Sequence, residues 1–362
     1  MTSLVDVAKL ANVSITTASR VLSRSTYPVS DEKRERVLAA ASELNYSPSA
    51  LAKALVTGDT KIVGVIIGDS TDPYFATIVR GVDDEARLQG YLVVVCNSDR
   101  DPLVELSYLK TLNDYRVDGV IFAGGGLADE DYVSSVSELL ESFQNRGAVC
   151  ISLGKHLFPS FPILVDNQQI VQDAMEYLVG LGHKRIGYIS GPELLTTTQA
   201  RLTGYQTGVK KYGLDEEPEL VLRGDYSYQS GLQAAEAFNV MKNKPTAILA
   251  SNDLMGIGCL AGLRERGYHI PSDISIIGID DITFSRFVDP PLTTIIVPMY
   301  ELGRVGMETL LAIRQGEDLP YEQILLPHKL VVRGSTGAPP AKKPELVDES
   351  DLAHPTSKRD AT

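Results

Sequence analysis

The 362-residue sequence contains no tryptophan, three cysteines and five histidines. Cys96, Cys150 and Cys259 lie far apart in apolar surroundings, without the spacing of a metal site or a disulfide framework. We therefore predict buried free thiols in a cytoplasmic protein. The histidines are equally scattered and form no His–Cys or Ser–His arrangement with a recognisable local signature. The sequence predicts no catalytic residues, no bound metal and no cofactor.

Long apolar runs are missing as well. No stretch approaches the roughly 20 residues that a membrane-spanning helix needs. The first residues carry Asp6 and no apolar leader segment. We expect a soluble, cytoplasmic protein without a membrane partner.

One segment matches a cofactor motif loosely, because Gly256-Ile-Gly-Cys-Leu-Ala261 fits the pattern GxGxxA. Its first glycine falls inside a predicted helix, whereas a pyrophosphate-binding loop lies at the turn between a strand and a helix. Close packing of helices explains these glycines better than a dinucleotide does.

Negative charge dominates the chain, whose formal net charge is −13. Such a balance argues against nucleic acid until the two ends are compared. Residues 1–60 hold seven Lys and Arg against six Asp and Glu, so this segment is slightly positive and the remainder strongly acidic. A near-neutral head on an acidic body fits a DNA-binding protein whose other domain stays off the DNA. One head neutralises few phosphates, so we expect two copies to act together.

Residues 5–22 have the pattern of two short helices around a tight turn. The apolar positions with helical spacing are Val5, Ala8, Leu10 and Ala11 in the first helix, and Val13, Ala18, Val21 and Leu22 in the second. Asn12 stands where the chain must reverse, and asparagine tolerates the left-handed backbone. Ser14 follows as a candidate N-cap of the second helix. An ordinary helical hairpin is the alternative.

The second helix carries small hydroxyl groups and an arginine, which suit base edges and phosphates in a major groove. The residues that we predict to contact DNA here are Ser14, Ile15, Thr16, Thr17 and Arg20. A third helix is predicted between Val29 and Tyr46, opened by Ser30. Its predicted inward positions are Val37, Leu38, Ala41 and Leu44.

Residues 47–60 form the joint between head and body. Pro48 and the helix-favouring residues 50–55 predict a two-turn helix, which residues 57–60 then break. Such a helix is marginal in water by itself. A plain linker is the alternative.

From Lys61 onward, apolar strand patterns alternate with helix patterns in two runs of similar length. This alternation predicts two doubly wound lobes with a cleft between them, where ligand sites form at the carboxyl ends of strands. Arginine offers a planar fork of donors, carboxylates accept from paired hydroxyls, and aromatic faces suit a sugar ring. The candidate residues at these strand ends are Tyr74, Phe75, Asp166, Thr197, Arg201, Tyr226, Asn252 and Asp280. A helix cap or an internal ion pair is the alternative role for each, and Asp253 has the pattern of a helix cap.

The patterns DVA…A.VS..T.SRVL and VS…R.RV..A…L.Y.P…A..L stand in this order in the first 55 residues. They resemble the lactose/galactose repressor family of bacterial transcription regulators, and the resemblance extends to about residue 336. It implies a small all-α helix-turn-helix head on an α/β periplasmic-binding-protein-like body of two doubly wound parallel-sheet lobes.

The implied domains are a DNA-binding head (1–46), a hinge helix and linker (47–60), an effector-binding and dimerisation domain (61–336) and a disordered tail (337–362). Lobe one is placed at about 61–162 and 292–323, and lobe two at about 163–291 and 324–336. The chain would cross between them near 162–164, 290–293 and 322–326. The tail suggests no function.

The resemblance implies a homodimeric repressor of a metabolic operon, which binds a palindromic operator and is switched by a small polar metabolite such as a sugar or nucleoside. In the family, a hinge leucine enters the minor groove; the matching residue is Leu55, with Lys53 on the adjacent backbone. Arg201, Asn252 and Asp280 match the family's effector contacts. The helix after Asp72 and the strand at 91–96 would contribute to the dimer. The alternative is a sugar-binding or carbohydrate-acting protein with a non-functional head.

Four departures from the family pattern limit this comparison. Asn12 replaces the usual turn glycine, Lys33 replaces a usual threonine, and the loop 23–28 is one residue longer than common. The loop leaves its phosphate contacts open. Ile279 stands where an aromatic residue is common, which predicts a differently shaped pocket floor.

Overall fold

A computed structural model of the protein describes residues 2–23, 27–46 and 59–340. They divide into two compact units. The first holds the head together with residues 59–170, 192–203 and 296–329, and the second holds residues 171–191, 204–295 and 330–340. Within these ranges, no helix has the length and apolar character needed to cross a membrane.

Three helices build the head: α1 (Leu4–Leu10), α2 (Ile15–Leu22) and α3 (Asp31–Glu43). The turn after α1 is a Schellman motif centred on Asn12, which has φ 49°. The Asn12 amide donates to the Lys9 carbonyl at 3.1 Å, and the Val13 amide donates to the Ala8 carbonyl at 3.0 Å. The left-handed asparagine predicted from the sequence is therefore present.

The core of the head differs from the predicted one in two helices. In α1, Val7 is fully buried, whereas Val5 and Leu10 are exposed, because the inward stripe runs through Val7, Ala8 and Ala11. In α3, Leu38 is exposed and its neighbours are buried. The core consists of Val7, Ala8, Ala11, Ala18, Val21, Val37, Ala40 and Ala41, surrounded by Leu4, Val13, Leu22, Val29, Leu44 and Tyr46.

The first sheet has the order β11-β5-β4-β3-β1-β2, and the strand pairs that involve β1 to β5 and β11 are parallel. Its strands are β1 (Ile62–Ile67), β2 (Leu92–Asn97), β3 (Gly119–Ala123), β4 (Val149–Leu153), β5 (Phe161–Leu164) and β11 (Ile324–Leu325). The helices of this unit are α4 (Pro73–Leu88), α5 (Pro102–Asp114), α6 (Glu130–Gln144) and α11 (Met299–Arg314). Continuous apolar strands such as β1 are buried on both faces, as expected of a parallel sheet.

The second sheet has the order β12-β10-β9-β8-β6-β7. Its strands are β6 (Ile186–Ser190), β7 (Val221–Arg223), β8 (Ala247–Ala250), β9 (Ser275–Asp280), β10 (Thr293–Ile296) and β12 (Lys329–Val331). The remaining helices are α7 (Asn167–Gly180), α8 (Thr196–Tyr212), α9 (Tyr228–Val240) and α10 (Asp253–Glu265). Short 3-10 helices cover Pro218–Leu220 and Thr283–Arg286.

The glycines of the GxGxxA segment pack helices. A Cβ at Gly258 would overlap the carbonyl oxygen of Tyr228 on α9, and a Cβ at Gly231 would overlap the carbonyl of Met255 on α10. Each glycine thus lets the backbone of the other helix approach closely. This contact explains the glycines without a cofactor.

The predicted crossing points each fall a few residues too early. Residues 161–164 pair with β4 and residues 324–325 pair with β5, so both belong to the first sheet. Residues 293–296 belong to the second sheet. These strands are short and lie toward one side of each sheet, so their sequences lack the long apolar runs that identified the central strands.

The body also extends past its predicted end at residue 336. The Gly337 carbonyl accepts hydrogen bonds from His183 Nε2 at 2.9 Å and from Ser275 Oγ at 3.1 Å. Residues 341–362 of the predicted tail lie outside the described part of the chain.

Candidate nucleic-acid interface and ligand site

The N-terminus of α2 is capped as the sequence predicts. Ser14 Oγ accepts from the Thr17 amide at 3.1 Å and lies 2.9 Å from Thr17 Oγ1. Ile15 and Thr16 are exposed, whereas Ala18 and Val21 on the opposite side of α2 are buried. The first turn of α2 therefore presents an apolar and a hydroxyl side chain outward from a rigid base.

Arg36 fixes the turn that aims α2, and the sequence gave no indication of this role. From α3, its guanidinium donates to the Ala11 carbonyl at 3.0 and 2.7 Å and to the Asn12 carbonyl at 2.7 Å. These are carbonyls that the end of α1 leaves without helical partners. The partners are 24 and 25 residues apart in the chain, so no local pattern could reveal them.

Arg20, near the end of α2, lies over an aromatic ring. Its guanidinium carbon is 3.7 Å from the centroid of the Tyr27 ring, the geometry of a cation–π contact. Tyr27 belongs to the loop that is longer than the family pattern. The other predicted DNA contacts, Lys53 and Leu55, lie outside the described residues.

In the first unit, Tyr74 and Phe75 occupy the first turn of α4, directly after β1. Asp72 caps this helix by accepting from the Tyr74 amide at 2.9 Å, and burial raises the pKa of its carboxyl. Arg100, which follows β2, lies 3.8 Å from the Asp72 carboxylate and 5.7 Å from the centroid of the Phe75 ring. Arg100 was not among the predicted site residues, although its place after a strand could have suggested it.

The remaining candidates of this unit lie at the starts of α7 and α8. Asp166 is exposed and caps α7, since its carboxylate accepts from the Gln169 amide at 2.9 Å. Arg201 is buried, and its Nε donates to Asn167 Oδ1 at 2.8 Å. Thr197 packs against Gly125, in the turn after β3. The structure thus joins the Asp166 and Arg201 segments through Asn167.

In the second unit, Tyr226 and Asn252 are connected directly. Asn252 Nδ2 donates to the Tyr226 carbonyl at 2.9 Å, while Asn252 Oδ1 accepts from the Met255 amide at 3.0 Å. Asn252 is therefore the N-cap of α10, and the prediction that Asp253 is a helix cap was wrong. Asp280, at the end of β9, is buried.

Asp253 instead forms a buried connection between α10 and the segments around β9 and β10. Its carboxyl accepts from the Ile282 amide at 2.9 Å and from Thr294 Oγ1 at 2.5 Å. Burial, followed by the nearby negative charge of Asp280, raises the pKa of Asp253 well above its usual value. Asp253 lies one residue into the helix, where the sequence pattern could not distinguish it from a cap.

Two of the candidates hold unusual backbone conformations. Tyr226 has φ 71°, Asp280 has φ 121° and the following Asp281 has φ 60°. Such conformations cost about 1–3 kcal/mol each and persist where surrounding contacts impose them, often at ligand sites. Here Asp281 is held by ion pairs with Arg286, at 2.8 Å, and with Arg333.

A helix-turn-helix head followed by two parallel α/β sheets, with polar and aromatic side chains at their strand ends, defines a DNA-binding regulator with a ligand-binding body. Residues 3–49 match the model of bacterial regulatory proteins of the lacI family, and residues 175–336 match the periplasmic binding protein-like domain. The chain is 33% identical over 336 residues to the HTH-type transcriptional repressor PurR of Mannheimia succiniciproducens, which covers 92% of this chain and 98% of that protein. The chain belongs to the lacI family, which confirms the resemblance and the fold class predicted from the sequence.

Solved structures agree with this assignment. The lac repressor dimer bound to operator and the anti-inducer ONPF has a TM-score of 0.82 at 29% identity, covering 93% of this chain and 99% of the repressor. The transcriptional regulator CelR in complex with cellobiose has a TM-score of 0.67 at 29% identity, covering 92% of this chain and all of that one. The protein is a lacI-family transcriptional repressor with an effector-binding domain.

Proposed function

We propose that the protein is a homodimeric repressor of a metabolic operon, which binds a palindromic operator in the cytoplasm and is switched by a small polar metabolite, a sugar or nucleoside. The observation that carries the proposal is the first turn of α2. Its exposed Ile15 and Thr16 stand on a capped helix whose orientation is fixed by the Asn12 turn and by Arg36.

The direct DNA contacts proposed for α2 are those predicted from the sequence: Ser14, Ile15, Thr16, Thr17 and Arg20. A helix N-terminus with hydroxyl groups suits phosphates, and exposed side chains in its first turn can reach base edges. By resemblance, Leu55 inserts into the minor groove and Lys53 contacts the backbone. Leu55→Ala should then weaken specific binding far more than non-specific binding.

The dimer is proposed to form through the edge of the first sheet. β2 lies at that edge and leaves Leu92, Val94 and Val95 exposed, with Leu92 at 61% of its full exposure. An exposed apolar edge strand favours association with another chain. The resembled family uses this strand and α4 in its dimers, and the similar lac repressor structure is a dimer bound to operator.

The effector contacts proposed are Tyr74, Phe75, Asp166, Thr197, Arg201, Tyr226, Asn252 and Asp280. Arg201 and Asp280 supply a buried donor fork and a buried carboxylate, which together suit the hydroxyl groups of a polar ligand. The strained backbones of Tyr226 and Asp280 support a ligand-binding role. The CelR relative was solved with cellobiose, a sugar.

Selection from a random-sequence DNA pool tests the DNA-binding part. The wild-type protein should enrich a two-fold symmetric sequence, and Thr16→Ala should relax its preference within each half-site. Lys33→Met, on the exposed side of α3, provides a control for charge and general folding. Failure to enrich any sequence, with or without added metabolites, would remove the proposal.

A thermal-shift panel of sugars and nucleosides tests the effector part. A ligand stabilises the folded protein according to its concentration relative to its dissociation constant. Arg201→Ala and Asp280→Ala should lose the shift given by the active compound while remaining folded. A sugar-dependent shift in a protein that enriches no DNA sequence would support the alternative, a sugar-binding protein with a non-functional head.

A further inference from the structure

Residues 59–61, which we call the linker root, are the first described residues after the segment that joins head and body. The carboxylate of Asp118 holds them. It accepts from the Thr60 amide at 2.9 Å, from Thr60 Oγ1 at 3.0 Å and from the Lys61 amide at 3.1 Å. Asp118 is only 2% exposed, so these bonds satisfy a carboxylate that burial would otherwise destabilise.

The Asp118 carboxylate is itself fixed to the sheet. Asp118 precedes β3, where its amide donates to the Ile62 carbonyl at 2.8 Å and its carbonyl accepts from the Val149 amide at 3.2 Å. The residue is therefore held by β1 on one side and by the residue that begins β4 on the other. A side chain mounted in this way has little freedom to follow a moving linker.

Arg314, at the end of α11, adds a second attachment. Its guanidinium pairs with Asp59, lies 3.2 Å from Asp118, and donates to the Gly147 carbonyl at 2.9 Å. Its side chain is 15% exposed, so the pairing is shielded more than an ordinary surface ion pair. The root is thus attached to the strand layer and to a helix of the same unit.

The root has further bonds to the sheet edge. The Lys61 carbonyl accepts from the Leu92 amide at 2.8 Å, and the Lys61 ammonium lies 4.3 Å from the centroid of the Tyr91 ring. Lys61 has φ 56°, a left-handed conformation that sets a sharp change of direction just before β1. Strand β1 pairs with β2 from Ile62 onward and with β3 from Val63. The side-chain contacts of Asp118 and Arg314 therefore constrain the chain before the strand begins.

We propose that Asp118 and Arg314 are positioning residues for DNA binding, which fix the point and direction at which the linker leaves the first unit. This inference rests on the proposed operator binding by a dimer. Half-sites of an operator lie at one fixed spacing, so each head must start from a defined position. A loose root would spread the heads over many positions and lower the effective concentration of the second head at its half-site.

The test compares Asp118→Asn, Arg314→Lys and Thr60→Val with a matched control. Asparagine keeps the size of Asp118 but turns one acceptor oxygen into a donor that faces a backbone amide. Lysine keeps the charge of Arg314 but loses its fork, and valine removes the Thr60 hydroxyl. The control is Asp101→Asn, since Asp101 also accepts two backbone amides, but those of Leu103 and Val104 in its own helix α5.

The probe is the duplex that the wild-type protein enriches from a random pool, compared with a scrambled duplex of equal length at one salt concentration. Asp118→Asn and Arg314→Lys should bind the enriched duplex about tenfold more weakly, the loss expected from one charge-assisted hydrogen bond. Thr60→Val should lose severalfold. Binding to the scrambled duplex and binding by Asp101→Asn should stay unchanged.

Hydrogen exchange of the segment 59–62 provides a readout at the root itself. Asp118→Asn should exchange the Thr60 and Lys61 amides faster, while the β3 and β4 amides stay protected. Faster exchange with an unchanged preference for the enriched duplex would overturn the inference. If Asp118→Asn does not fold, Arg314→Lys and Thr60→Val decide by the same affinity ratio. A wild-type protein that enriches no DNA would instead contradict the proposed function, and the inference with it.

Discussion

Arg36→Met is expected to destabilise the DNA-binding head selectively. The wild-type guanidinium makes three hydrogen bonds to the carbonyls of Ala11 and Asn12, at 2.7–3.0 Å. Methionine matches the length of the side chain and removes all three. The two carbonyls then turn to water, and the helix-turn-helix angle loses its attachment to α3.

The magnitude follows from the number and exposure of these bonds. A hydrogen bond to a charged group contributes about 1.5–3 kcal/mol, and more than one bond is lost. The Arg36 side chain is 39% exposed, so solvent screens part of this contribution. We expect a loss of about 2 kcal/mol. Small domains have about 0.05–0.15 kcal/mol of stability per residue, or roughly 2–7 kcal/mol for a head of this size.

Urea denaturation followed by hydrogen exchange of residues 4–44 would measure this loss separately from the body. Arg36→Met should unfold the head at lower urea while the transition of the two sheets stays in place. Arg36→Lys should fall in between, because an ammonium can reach one carbonyl but lacks the fork. Lys33→Met, on the exposed side of the same helix, should leave the head unchanged.

DNA affinity should follow the stability of the head, because an unfolded head presents no recognition helix. A head that keeps its wild-type transition in Arg36→Met would refute this reasoning, as would equal losses in Arg36→Met and Lys33→Met. The first result would mean that the Asn12 turn and the buried alanines suffice to hold α1 against α3.

Three further predictions concern the body. Gly258→Ala should destabilise the second unit by about 1–3 kcal/mol in urea titrations, because its Cβ would overlap the Tyr228 carbonyl, whereas Gly180→Ala, beside open space, should not; equal effects would contradict the packing role. Burial lowers the pKa of His156 from 6.5 to about 4, so the unfolded chain binds the proton first and stability should fall as the pH drops from 6.5 to 4. His156→Leu should lose less stability than wild type over that window, and parallel pH profiles would exclude the effect. Val95→Glu should make the protein monomeric in sedimentation at micromolar concentration, and a persisting dimer would place the interface elsewhere.

Local features of the fold could be predicted where a residue's partners lie within one turn. Ser14 caps α2 and Asn12 adopts the left-handed turn, since both depend on bonds to residues two to five positions away. The central strands were predictable because a parallel strand buried on both faces is almost wholly apolar. The lacI family assignment rests on the same kind of local pattern in the first 55 residues.

The face that a helix buries was less predictable. In α1, Val5 and Val7 are equally apolar, and only the position of α2 and α3 decides that Val7 is inside. In α10, the choice between Asn252 and Asp253 as cap depends on where the helix begins, which the contact of Asn252 with Tyr226 helps to fix. Ile279, predicted to shape a pocket floor, is fully buried within β9.

The sequence by itself determined the helix-turn-helix head, the alternation of strands and helices, and the candidates at strand ends, because each follows from short-range periodicity and capping. Only the tertiary structure decided which sheet receives the strands at 161–164, 293–296 and 324–325. It also placed Arg36 on the turn at Asn12 and Asp118 on the linker root. These contacts join residues from about 24 to more than 50 positions apart. A hydrogen bond at that separation leaves no trace in local composition, so it appears only once the backbone has brought the two segments together.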